Sequence, residues 1–221
     1  MNTLLDSRVA PVLDRLFAEA AASADAVGKA MATLSPEDRA TMMASKTDYR
    51  AFYEQAKDFP LAVSRATGTL LYMLARSSRA RTIIEFGTSF GVSALHLAAA
   101  LRDNGGGRLI TCEFERSKVA RARANLEAGG LADLVEIREG DAVETLAGDL
   151  PPAIDLVLLD GAKGLYPAVL SLVEPNLKPG ALILADNADW SPEYLERVRS
   201  PEQGYLSVPF ADDVELSMRL G

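Results

Sequence analysis

At 221 residues the chain is long enough for one large domain with a sizeable core, and no Pro/Gly/Ser-rich linker divides it. Its 23 Lys+Arg against 31 Asp+Glu give a formal charge of −8, with no basic cluster beyond Lys118 to Arg123, which argues against a nucleic-acid partner and suits a cationic small ligand. A single Cys112 and a single His96 exclude an internal disulfide and a zinc cage and fit a cytoplasmic protein, while no apolar run reaches the roughly 20 residues of a membrane span and no basic-then-apolar leader opens the chain.

Leu4 to Val27 carries apolar residues at helical spacing (Leu5, Val9, Val12, Leu13, Leu16, Phe17) and is rich in alanine, which predicts one or two covering helices. Ser35-Pro36-Glu37-Asp38 supplies an N-cap, a proline for the first helical position and acids for the first turn, so a short helix starts there. Asp48 to Phe59 is an aromatic segment with Tyr49, Phe52, Tyr53 and Phe59, for which core packing is favoured over substrate contact. After Pro60, Ala62 to Ala75 predicts a helix bearing Leu70, Leu71 and Leu74.

Arg81 to Ser93 is the centre of the chain: a short apolar run ending in Glu85, a glycine turn, and the helical pattern Val92, Leu95, Ala98, Ala99. Beyond it strands and helices alternate. Arg108 to Glu113 is the second strand, Ser117 to Ala128 a helix closed by Gly129-Gly130, Leu134 to Arg138 the third strand, and Ile154 to Leu159 an almost wholly apolar fourth. Pro167 to Leu177 reads as a crossover helix, Ala181 to Ala185 as the fifth strand, and Ser191-Pro192-Glu193 as another helix start. Tyr205 to Phe210 and Val214 to Leu220 form an antiparallel pair. The expected fold is α/β: a Rossmann-like, doubly wound, mostly parallel seven-stranded sheet with an antiparallel last strand and N-terminal covering helices. Residues 1–221 form a single domain, with 1–60 as helical cover or dimerisation segment and 61–221 as the core.

Gly87-Thr88-Ser89-Phe90-Gly91 spells the nucleophile elbow of serine hydrolases, yet the required imidazole is missing late in the chain, since His96 lies on the helix that this turn opens. A nicotinamide fingerprint would need glycine at Ser89 and Val92. A different pattern is present. Glu113 ends the second strand, Asp141 follows the third, Asp160 the fourth, and Asp186-Asn187 the fifth, so all stand on the rim where parallel sheets bind ligands. Each alone would pass for a helix cap or loop acid. Together they suggest a site: a carboxylate after the second strand can accept from both ribose hydroxyls, and Asp160, Asp186 and Asn187 offer oxygens suited to a hard cation.

Three motifs, Ile84-Glu85-Phe86-Gly87-Thr88-Ser89-Phe90-Gly91-Val92-Ser93, Asp155 to Lys163 with Tyr166, and Leu184-Ala185-Asp186-Asn187, resemble the class I S-adenosylmethionine-dependent O-methyltransferases. The resemblance is to the metal-dependent group similar to catechol and caffeoyl-CoA O-methyltransferases and runs from about Phe59 to the C-terminus. It implies that Glu85, Gly87 and Ser93 hold the methionine part of S-adenosylmethionine, Glu113 the ribose, and Asp141 with Ala142 the adenine. It further implies that Asp160, Asp186 and Asn187 ligate Mg²⁺ or another hard dication such as Mn²⁺ or Ca²⁺. Asp160 also adjoins the cofactor, and Lys163 is the base, its ammonium disfavoured beside a metal.

The implied acceptor is a vicinal dihydroxy aromatic small molecule, and the implied assembly a homodimer through the N-terminal helices, for which Leu4 to Val27 is suited. Two alternatives stand: a cofactor-binding protein of this fold without acceptor chemistry, and a methyltransferase for another acceptor such as a hydroxylated nucleoside. Tyr166 and Trp190 would wall the acceptor ring or simply pack, while His96 and Cys112 read as ordinary helix and strand residues. The segment from Ser191 to the last strand is shorter than in animal catechol enzymes, and no acid in it matches the one that holds their second hydroxyl.

Overall fold

The structure, a computed structural model, describes residues 2–33, 35–47, 49–210 and 213–221, and the backbone alone of residues 25–27, 30–32, 36, 51 and 52. Asp48, where the aromatic segment opens in the sequence, and the side chains of Val27 and Phe52 therefore lie outside the described residues.

A seven-stranded sheet of order β3-β2-β1-β4-β5-β7-β6 forms the centre. β1 (Thr82–Phe86), β2 (Arg108–Glu113), β3 (Val135–Glu139), β4 (Ile154–Leu159) and β5 (Leu177–Ala185) are mutually parallel. β7 (Val214–Arg219) inserts between β5 and β6 (Tyr205–Phe210), antiparallel to both; the antiparallel pairing of the last two strands was expected, their order in the sheet was not. Strand order reverses between β1 and β4, and such a switch opens a crevice at the carboxyl ends of the strands.

Side-chain alternation along the strands feeds two apolar layers. Ile83, Leu109, Leu156 and Leu158 join one layer with residues of α1 (Val9–Ala32), α4 (Arg65–Ser77), α5 (Val92–Asp103) and α6 (Arg116–Ala128). Ile84, Phe86, Val157 and Leu159 join the other with α8 (Tyr166–Val173) and α9 (Pro192–Val198). Helix α5 is buried from Val92 to Leu101, which explains its alanine content: only small side chains let a helix lie between a sheet and other helices. His96 packs there, its Nδ1 2.8 Å from the Val92 carbonyl oxygen, and burial holds its pKa low, so the ring is a neutral core group. A Cβ on Gly68 of α4 would come within 2.7 Å of that ring, so glycine sets the approach of α4 to α5.

The N-terminal cover differs in detail from the sequence pattern. The helix starts at Val9, because Asp6 Oδ1 accepts from the N–H groups of Arg8 and Val9 at 2.8 Å each; Leu5 sits in a preceding 3₁₀ turn and is 73 % exposed. Val9, Val12, Leu13 and Leu16 are buried in this chain's own core, so that apolar face is already covered without a partner. Helices α2 (Pro36–Ala44) and α3 (Tyr49–Gln55) follow, the former capped by Ser35 as expected.

The crossover helix α8 ends at Val173 rather than Leu177. Residues Glu174–Asn176 make a 3₁₀ turn around Pro175, and Leu177 already pairs with Ile154. The fifth strand starts at Leu177 rather than Ala181, with Lys178-Pro179-Gly180 running as exposed strand across a register shift. The short helix α7 (Ala142–Thr145) was not expected; Asp141 caps it by accepting from Val143 N–H at 3.0 Å. Among the described residues no helix is long and apolar enough to cross a membrane.

Candidate active site

The turn after β1 fixes the geometry. Gly87 has φ 102°, and a Cβ there would overlap the carbonyl oxygen of Asp160, so only glycine lets the ends of β1 and β4 meet this closely. Asp160 N–H in turn donates to the Phe86 carbonyl at 2.8 Å. The Gly87 and Thr88 N–H groups donate to the Cys112 carbonyl, and Ser89 N–H donates to Glu113 Oε2 at 2.9 Å. No side chain caps α5 at Gly91. The result is a cavity whose wall includes Gly87, Ser89, Glu113, Asp141, Ala142 and Asp160.

Four of the expected cofactor positions, Gly87, Glu113, Asp141 and Ala142, thus meet in one cavity with Asp160, whereas Glu85 and Ser93 are buried and do not line it. Glu113 is held by Ser89 and Glu115 N–H, both at 2.9 Å, and burial still raises its pKa. Glu85 is wholly buried and pushed up to about 7 by desolvation, which the nearby Ser93 and Thr111 hydroxyls only partly offset. Neither of its carboxylate oxygens has a hydrogen-bond partner within normal distance, and the buried hydroxyl of Ser89 has none either. Unpaired buried groups of this kind are costly. Fixed carboxylates, an unpaired hydroxyl and an uncapped helix end fit a ligand with an ammonium group and ribose hydroxyls.

The sequence reading missed other groups on this wall. Tyr49 and Tyr53 line the cavity, each edge-on to Phe114, so the aromatic segment contributes to the site and not to packing alone. Tyr49 Oη and Arg50 Nη2 both donate to Asp141 Oδ2, the latter at 2.6 Å, and with Val143 N–H they hold that carboxyl below its ordinary pKa although burial opposes this. Lys118, buried on α6, also lines the cavity; its ammonium lies 5.8 Å from the Phe90 ring centre, and burial lowers its pKa. A buried lysine at helical spacing carries no signal in the sequence that separates it from a surface cation. Cys112 lines the cavity too, its thiol raised to about 11 by burial and so protonated at neutral pH.

A second cavity adjoins the first and shares Tyr53, Leu61 and Asp160 with it. It gathers Asp160, Lys163, Asp186 and Asn187, the expected metal and catalytic residues, and adds Asp213 from the end of the β6–β7 return, just before Val214. Lys163 Nζ donates to Asp160 Oδ1 at 3.0 Å and to Tyr166 Oη at 2.9 Å, and Tyr166 Oη donates to the Asp186 carbonyl at 2.7 Å. Burial disfavours the Lys163 ammonium, but Tyr166 and Asp160 outweigh this and hold it well above its ordinary pKa. With no metal bound, Lys163 is therefore a cation paired to Asp160.

Desolvation raises the pKa of Asp160, and desolvation with the Asp160 charge raises Asp186 to about 7. Asn187 has φ 50°, and its Nδ2 donates to Asp213 Oδ2 at 3.0 Å. Among the described residues no cluster of three or more His, Cys, Asp or Glu is placed to hold a metal; the set here is two carboxylates and a carboxamide. An all-oxygen set whose two partly buried carboxylates repel each other fits a hard dication, which would relieve that repulsion. Neither Tyr166 nor Trp190 lines this cavity; Tyr166 is wholly buried edge-on to Phe86 and Tyr194.

A methyltransferase-domain family model matches residues 84–188, from β1 through the Asp186-Asn187 turn. Over these residues the chain is similar to methyltransferase domains. Among curated relatives, a catechol O-methyltransferase of Niastella koreensis is 35% identical over 130 residues, covering 58% of each chain. One of Mycobacterium tuberculosis is 35% identical over 127 residues, covering 58% of this chain and 57% of its own. The match thus spans less than two thirds of either relative. Among solved structures, an O-methyltransferase from Streptomyces achromogenes, in complex with S-adenosylmethionine, superposes with a TM-score of 0.65 at 29% identity, covering 82% of this chain and 89% of that one.

Proposed function

We propose that the protein transfers the methyl group of S-adenosylmethionine to a hydroxyl of a vicinal dihydroxy aromatic small molecule, with a divalent cation at Asp160, Asp186 and Asn187. The observation that carries this reading is the place of Asp160: it belongs to both cavities, so a donor held in the first and an acceptor held in the second meet at one side chain.

Glu113 is the acceptor for the ribose hydroxyls, its direction fixed by two backbone N–H groups. Asp141 and Ala142 take the adenine end, with Tyr49 as its wall, and the methionine end lies toward Gly87 and the buried Glu85. When bound, a dication would supply the charge that stabilises the anion of a phenolic hydroxyl, whose ordinary pKa is about 10. Beside such a dication the Lys163 ammonium would be disfavoured, and the neutral amine would then be the positioned proton acceptor. Because Tyr166 spends its hydrogen on the Asp186 carbonyl, its oxygen is left to receive Lys163, which fixes the direction of Nζ beside Asp160. Holding both reactants across one wall converts an encounter into an oriented contact, a contribution that can reach about 7 to 11 kcal/mol.

The direct test is formation of S-adenosylhomocysteine from S-adenosylmethionine and a catechol mixture, with Mg²⁺ and with excess chelator. Turnover that needs the metal and fails on matched monophenols supports the reading; equal rates on monophenols would overturn the chelating acceptor.

A further inference from the structure

We propose that Asp213 is a positioning residue for the cation site: it turns the carboxamide of Asn187 so that the oxygen, and not the NH₂ group, faces Asp160 and Asp186. This rests on the reading above that a dication binds at Asp160, Asp186 and Asn187.

The two ends of a carboxamide are nearly the same size, yet only the oxygen can ligate a cation, while the nitrogen carries two donors and would repel one. Which end faces the site is decided by what the other end meets. Asn187 sits in a left-handed conformation, φ 50°, at the turn between β5 and the 3₁₀ turn Ala188–Trp190. Its Nδ2 donates to Asp213 Oδ2 at 3.0 Å. An ionised carboxylate accepts and cannot donate, so the reversed carboxamide would set oxygen against oxygen. Asp213 therefore selects one orientation, and it does so from the same cavity wall. A second bond, from Ala188 N–H to the Asp213 carbonyl at 2.8 Å, ties the β6–β7 return to the ligand turn. That bond uses backbone alone, so replacing the Asp213 side chain leaves the tie in place and removes only the orienting contact. Partners that orient ligands in this way typically change metal affinity by about 10- to 100-fold when lost.

The test is Mn²⁺ affinity of the full chain by calorimetry, with S-adenosylhomocysteine affinity as the control for fold. Asp213→Ala should weaken Mn²⁺ by about 10- to 100-fold. Asp213→Asn, which can still accept through its own oxygen, should recover most of the loss, and S-adenosylhomocysteine affinity should stay constant. In an Asn187→Asp background either side-chain oxygen can ligate, so adding Asp213→Ala there should cost nothing. An equal loss in both backgrounds would show Asp213 acting by its charge or as a ligand and would overturn the proposal, as would undiminished affinity in Asp213→Ala. Wild-type protein that takes no Mn²⁺ would overturn the cation site itself and this inference with it, an outcome distinct from tight binding that ignores Asp213.

Discussion

Lys163 Nζ lies 3.0 Å from Asp160 Oδ1, and through that contact the proposed base is bound to the carboxylate that both cavities share. Removing the amine while keeping the side chain's bulk isolates its chemistry. Lys163→Met should lower kcat by roughly 10² to 10⁴, the range for a positioned proton acceptor, with modest change in cofactor affinity. A variant that kept its rate and pH profile would make Lys163 a neighbour only.

Asp186 lines the acceptor cavity alone, whereas Asp160 lines both. The two should therefore separate on substitution. Asp186→Ala should abolish metal-dependent turnover and spare S-adenosylmethionine binding, while Asp160→Ala should impair both, as judged by paired rate and calorimetric measurements. Chelation of the wild type should reproduce the Asp186→Ala result, with Mg²⁺ or Mn²⁺ restoring activity. Full activity in excess chelator would remove the metal from the mechanism.

Glu113 accepts two backbone N–H groups and faces the cofactor cavity. Glu113→Ala should weaken S-adenosylmethionine by about 1.5 to 3 kcal/mol, the scale of charged hydrogen bonds. Calorimetry that found the affinity unchanged would exclude Glu113 from the site.

The buried Glu85 carboxyl predicts a pH dependence of stability. Its pKa is raised from 4.5 to about 7 by desolvation, so between these values the folded state holds a proton that the unfolded state has released. Stability contributed by this group is present below pH 4.5, is lost progressively as pH rises to about 7, and is absent above, a loss of order 3 kcal/mol. Glu85→Gln should flatten that slope and raise Tm at pH 8 relative to the ligand-free wild type, while weakening S-adenosylmethionine. Parallel melting curves for the two proteins between pH 5 and 8 would show that Glu85 is not the group responsible.

The sequence by itself determined the frame: apolar runs of strand length alternating with helical periods, a glycine turn after β1, and acids at the ends of successive strands. These are local signals. Pleat and helix period are set by backbone geometry within a few residues, and a parallel sheet then brings the strand ends to one rim whatever else happens. Gly87, Glu113, Asp141, Asp160 and Asp186 were legible for that reason.

What the tertiary structure alone decided is which distant side chains close the site. Tyr49 and Tyr53 have the spacing of core residues, and only the docking of α3 beside Phe114 turns them toward the cavity. Asp213 is one loop acid among others until the β6–β7 return brings it 3.0 Å from Asn187 Nδ2. Glu85 and Ser93 belong to a motif that the sequence displays, yet the packing of α5 on β1 sets them within the core and off the cavity wall. Periodicity tells a residue's face on its own element; which other element meets that face depends on contacts across the whole chain, and no local pattern encodes them.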